Sequence, residues 1–168
     1  MDERQKHSRH STLRENIVEH LFAGELLRRL WQKGVVDAEL LKSEFDAGGY
    51  DLVLSRGRIT RHIQLKVSRK GGARASVGVN LRLAEKPSGC IVWIVVDDDL
   101  NLLTYRWFGG LPGEPLPDVT EMKQLRHTKA NALGMKAVRD GHRSIGEKTF
   151  EPIDGIDVLL GRLLGELL

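Results

Sequence analysis

Asp51, Gln64 and Lys66 bring a carboxylate, an amide and an amine to neighbouring positions of two adjacent apolar runs. In "HIQLKVS", Gln64 and Lys66 alternate with Ile63, Leu65 and Val67, so a period of two puts amide and amine on one strand face and the apolar residues on the other. Asp51 begins a preceding apolar run, "DLVLS", and "SRGR" joins the two runs. A two-residue loop at Gly57-Arg58, the glycine-first pattern of a type II′ turn, sets Asp51 opposite Gln64. A loop at Arg56-Gly57 pairs Asp51 with His62 instead. Either register places Asp51, His62, Gln64 and Lys66 on one sheet face, and a three-residue loop would reverse this. A carboxylate, an amide oxygen and an amine on one face are groups for hard-cation or acid–base chemistry. The same alternation also describes an ordinary half-exposed strand, with His62 as a solvent-facing residue.

The elements that must position these residues follow in a regular order. Helical periodicity runs from about Thr12 to Lys33, with Ser11 or Thr12 as cap and Gly34 as stop. Strands are expected at 35–45, 50–55, 59–68, 90–96 and 102–108. The fourth, "CIVWIVV", is apolar on both faces, as a central covered strand should be, and contains Trp93. Glycines and prolines make 109–118 a loop, a short helix is expected near 121–126, then a polar basic stretch, and a leucine-rich helix closes the chain from about Ile156 to Leu168. This order indicates an α/β fold, a mixed sheet flanked by helices.

At 168 residues and 40% hydrophobic, the chain suits a single domain, 1–168, with the polar segment 1–11 flexible. No bilayer-length apolar run or signal-peptide core is visible, so a cytoplasmic protein is expected. Cys90 is alone and sits among apolar residues, which predicts a buried thiol, and one cysteine with His7 and His10 in a polar terminus makes a structural zinc set improbable. Net charge is only +3, but 56–86 holds nine Lys or Arg against one acid and 121–148 holds seven against three. Two basic blocks suggest a one-sided positive surface suited to a phosphate backbone, set against the alternative of scattered solvated cations. The terminal leucines most simply cover the sheet, with a homodimer contact as the sharper reading.

Helix phase adds one more candidate. Counting from Glu19, the apolar stripe of the first helix falls at Phe22, Ala23, Leu26 and Leu30, so Glu19 points to the core side, where a carboxylate needs a cationic partner. Glu15 lies on the same side, nearer the helix end.

An inward acid on the first helix, "GGYD" on one strand and "IQLK" on the next resemble the PD-(D/E)xK nuclease superfamily, in its Mrr-like variant with an Asp…Gln-x-Lys motif. The resemblance covers about 13–68. It departs from the pattern at Tyr50, where proline is usual, and at Gln64, where the usual residue is a second acid. It implies a restriction-endonuclease-like fold and a metal-dependent nuclease hydrolysing phosphodiester bonds, with DNA as the expected substrate. Asp51, Gln64 and Glu19 would hold Mg²⁺ (or Mn²⁺), Asp51 as principal ligand and Gln64 through a neutral amide oxygen. Lys66 would orient or help deprotonate the nucleophile and stabilise developing charge. Arg69, Lys70 and Arg74, with Lys129, Lys136, Arg139 and Arg143, would contact nucleic-acid phosphates. The alternative is a nuclease-fold protein that binds nucleic acid without cutting it, and a third, weaker one is an interaction module with no nucleic-acid role.

Overall fold

The structure, a computed structural model, describes residues 2–167. Two helices open the chain, α1 (Glu3–Arg9) and α2 (Ser11–Gln32), and α3 (Gly155–Leu164) closes it. Between them lie nine strands: β1 (Ala38–Lys42), β2 (Leu52–Arg56), β3 (Ile59–Arg69), β4 (Ser76–Asn80), β5 (Gly89–Val96), β6 (Leu102–Gly109), β7 (Lys123–Arg126), β8 (Val138–Gly146) and β9 (Glu151–Ile153). Six form a sheet in the order β1-β2-β3-β5-β6-β9, in which only β3 and β5 run parallel. The other three form an antiparallel sheet, β4-β8-β7. The fold is mixed α/β, with helices against the larger sheet.

Alternation along β5 shows how the layers are built. Cys90, Val92, Ile94 and Val96 join Val18, Phe22 and Leu26 of α2 and Leu159, Leu160 and Leu163 of α3 in one core. Ile91 and Trp93 point the other way, into a second core with Val77 and Val79 of β4, Ile145 of β8 and Phe150. Helices therefore cover one face and the small sheet covers the other, which is why every residue of β5 is buried. Burial pushes the Cys90 thiol up to about 12.

The α2 stripe packs as its phase requires, with Phe22 and Leu26 fully buried, and Gly34 stops the helix at φ 75°, a left-handed conformation suited to glycine. No side chain caps the start of α2, because His10 lies between it and α1. The N-terminal segment forms α1, whose buried His7 lies against Asp98, with Nε2 3.3 Å from the Asp98 carbonyl. Residues 123–126, where a helix was expected, form β7, and the polar basic stretch after them contributes β8. Arg61 corrects the positive-surface expectation. It is fully buried and donates to the carbonyls of Gly110 (2.7 Å), Arg162 (2.8 Å) and Leu163 (2.9 Å), so it satisfies the end of α3 from inside. Of the terminal leucines, Leu159, Leu160, Leu163 and Leu164 are buried, while Leu168 lies outside the described residues. Among the described residues no helix is long and apolar enough to cross a membrane.

Candidate active site

The candidate site forms where β2 stops and β3 continues. Arg56 pairs with Ile59 across Gly57-Arg58, with Gly57 at φ 58°, so the glycine-first loop is the one adopted. The ladder ends at Leu52↔Ile63 and at the bond from Asp51 N–H to the Ile63 carbonyl, 2.8 Å. This register leaves Asp51 opposite Gln64. The next edge groups of β3 have lost their strand partner and are taken by side chains. Leu65 N–H donates to Asp51 Oδ2 at 2.7 Å, and Arg74 Nη1 donates to the Val67 carbonyl at 2.9 Å. Strand divergence thus creates both the opening and the reason for an acid at position 51.

Local packing fixes that acid. Gly49 has φ 74°, and a Cβ there would lie 2.8 Å from Asn80 Cβ, so "GGYD" needs glycine for both conformation and space. Tyr50 stands edge-on to His62 at 4.8 Å, and His62 Nδ1 donates to the Pro87 carbonyl at 2.6 Å. His62 is thereby committed to the turn before β5.

Gln64 is buried and its Nε2 donates to Asp51 Oδ2 at 2.8 Å. Burial raises the Asp51 carboxyl above its ordinary value, against the lowering effect of the Leu65 and Gln64 hydrogen bonds, and the charge of Glu19 raises it further. Burial also lowers the Lys66 ammonium, against the pull of Asp51, while Arg74 lowers it and Asp46 and Glu15 raise it. An acid and an amine are each pushed toward neutrality in one place, a common property of catalytic sites and also of some structural ion networks.

Glu19 approaches from the helix-covered side. Its carboxylate is mostly buried and meets Lys42 Nζ at 2.8 Å, the cationic partner its inward phase requires. It acts on Asp51 through its charge and makes no hydrogen bond to it. Asp51 and Gln64 are therefore in direct contact, Lys66 shares their face, and Glu19 lies beside them.

The oxygens present suit a hard divalent cation. Among the described residues, Asp51 Oδ1 and Gln64 Oε1 accept no hydrogen bond, and the Gln64 amide turns its nitrogen to Asp51, so a carboxylate oxygen and an amide oxygen are left without donors at these two touching residues. Mg²⁺ typically uses one or two carboxylates and keeps several waters. No group of three or more His, Cys, Asp and Glu that could hold a metal occurs among the described residues.

The expected phosphate-contacting residues divide. Lys70, Lys129 and Lys136 are exposed. Arg69 is bound to the Asp98 carboxylate through both Nε and Nη2, and Arg143 donates to the carbonyls of Thr120, Asp140 and His142, so both hold the fold. Arg74 is bound to β3 through one nitrogen, and Arg139 Nη2 donates to His142 Nε2 at 3.0 Å, which puts the imidazole proton on Nδ1. A groove of about 450 Å³ lined by Arg4, Arg14, Arg69 and Arg74 opens beside the β3–β4 loop. Arg4 and Arg14 escape a sequence reading that treats the terminus as flexible. His142 and Asp46 are two further residues the motif does not reveal: the charges of Lys66 and Asp46 both act on His142, although 76 positions separate it from Lys66. The sequence matches no protein-family model and no curated protein.

Proposed function

We propose that the chain is a divalent-cation-dependent nuclease that hydrolyses phosphodiester bonds in DNA. The observation that carries this reading is the Asp51–Gln64–Lys66 constellation, in which Asp51 accepts from Gln64 and from Leu65 N–H at the point where β2 and β3 part. Asp51 and Gln64 would hold the cation with Glu19 alongside, and the cation would supply charge neutralisation at the phosphate. The chain's own residues do the rest. Gln64 and Leu65 N–H fix the orientation of the Asp51 carboxylate. Lys66, whose ammonium is held below the ordinary lysine value by burial, is suited to exchange a proton with the attacking water and to stabilise charge on the phosphate oxygens. In the groove beside β3, Arg4 and the remaining nitrogens of Arg74 would give the adjoining backbone cationic contacts.

A non-cutting DNA-binding protein is the second reading. It is favoured by the neutral residue at position 64 and by the lack, among the described residues, of a three-member acid or histidine cluster. Incubation of plasmid DNA with Mg²⁺ or Mn²⁺ separates the two. Nicking that stops on chelation supports the enzyme, and salt-sensitive binding with no nicking in either metal supports the second reading.

A further inference from the structure

The β7–β8 hairpin ends in a tip that contributes nothing to either core. Its stem is anchored where Leu125 packs so closely on Gly78 that a Cβ there would lie 2.9 Å from Leu125 Cδ2. Pairing continues outward through Leu125↔Arg139 and Arg126↔Val138 to the bond from His127 N–H to the Ala137 carbonyl. Beyond it the chain is exposed, yet the turn is built. Asn131 N–H donates to the Met135 carbonyl at 2.7 Å, and Asn131 Oδ1 accepts from Leu133 N–H at 3.0 Å and Met135 N–H at 2.9 Å. Gly134 closes the turn at φ 76°. This staple holds out two large apolar side chains, Leu133 at 81% exposed and Met135 at 60%.

The chemistry around the tip selects its occupant. Between Lys123 and Arg139 the hairpin has five Lys or Arg and no acid. Apolar side chains flanked by cations complement bases flanked by phosphates. The stem is also continuous with the candidate site. Across from Gln124 and Leu125, β8 carries Asp140, Gly141 and His142 as an irregularity between Arg139 and Arg143, and His142 feels the charge of Lys66.

We infer that the hairpin is a duplex wedge: Leu133 and Met135 enter a groove of double-stranded DNA at one base step beside the cleaved region. Lys129 and Lys136 hold the phosphates on either side. This rests on the proposed DNA-cleaving reading and specifies its substrate as a duplex deformable at that step.

The test uses the full chain carrying Lys66→Ala, so that DNA stays intact, with 2-aminopurine moved stepwise along a 30-base-pair duplex. Leu133→Ser with Met135→Ser should weaken binding about tenfold, abolish the position-specific fluorescence rise and leave the salt dependence unchanged, because no phosphate contact is lost. Lys129→Ala with Lys136→Ala should lower the slope of log K against log salt by about 1.8. Serine variants that bind and fluoresce like the parent would overturn the wedge while leaving the DNA-cleaving reading intact. Loss of binding to phosphatidylserine vesicles with DNA binding unchanged would assign the tip to a membrane and overturn it equally. No salt-sensitive DNA binding by the parent would remove both the wedge and the reading beneath it.

Discussion

Gln64→Glu tests the candidate site without relying on catalysis. The wild-type amide donates to Asp51 at 2.8 Å, and the substitution replaces that attraction with a second carboxylate in the same buried place. Two charges about 4 Å apart at an effective dielectric of about 20 repel by about 4 kcal/mol. The pair can escape by taking up a proton, which caps the penalty: against an ordinary glutamate value of about 4.3, protonation costs about 3.7 kcal/mol at pH 7 and about 1 kcal/mol at pH 5. The introduced carboxyl has its value raised by the fold, so stability is retained at low pH and lost as pH rises, the same direction as the cap. In EDTA at pH 7 the variant should melt about 7–15 °C below wild type, at 2–4 °C per kcal/mol for a chain of this size, and at pH 5 the gap should shrink to a few degrees. Adding 10 mM Mg²⁺ should close most of the gap at pH 7, while wild type with a Kd near 1 mM should gain only about 1.4 kcal/mol. Melting by circular dichroism in EDTA and in Mg²⁺, at both pH values, reads all four quantities. A gap independent of pH, or one that Mg²⁺ leaves open, would refute a cation site shared by positions 51 and 64.

Lys66→Ala should lower cleavage at least about 100-fold while keeping the Mg²⁺-dependent rise in Tm, since it removes a proton-transferring and charge-stabilising group and no oxygen ligand; loss of that rise would make Lys66 structural. Arg61→Met should cost about 3–5 kcal/mol, because the buried carbonyls of Gly110, Arg162 and Leu163 lose their donor, and a change in Tm under 3 °C would contradict that role. Burial of Cys90, with its thiol pushed up to about 12, should make the native protein react with a disulfide reagent at pH 8 only as fast as it unfolds, and rapid labelling in native buffer would contradict the packing of β5.

What the sequence makes legible is what local pattern determines. Alternation in β3, the glycine-first loop and the α2 stripe are short-range signals, and they suffice to place Asp51, Gln64 and Lys66 together and to turn Glu19 inward. Arg61 was equally legible, since it shares the parity of Ile63, Leu65 and Val67, but counting charge along the chain treats it as surface. β7 and β8 were not legible. Their residues are mostly polar or charged, and only Ile145 among them is buried, so the pairing of β8 with β4 and of β7 with β8, rather than propensity, makes them strands. With β8 unrecognised, His142 had no route to Lys66. The contact of α1 is equally non-local, because His7 and Asp98 meet only in the folded chain.

The most direct test of the central claim is supercoiled-plasmid cleavage by wild type, Asp51→Asn and Lys66→Ala, each shown to be folded, in Mg²⁺ and in Mn²⁺. Wild type should nick the plasmid, with nicking abolished by EDTA and lost in both variants. Cleavage undiminished by the two substitutions would place the chemistry elsewhere, and no wild-type cleavage in either metal would contradict the claim that this site cuts.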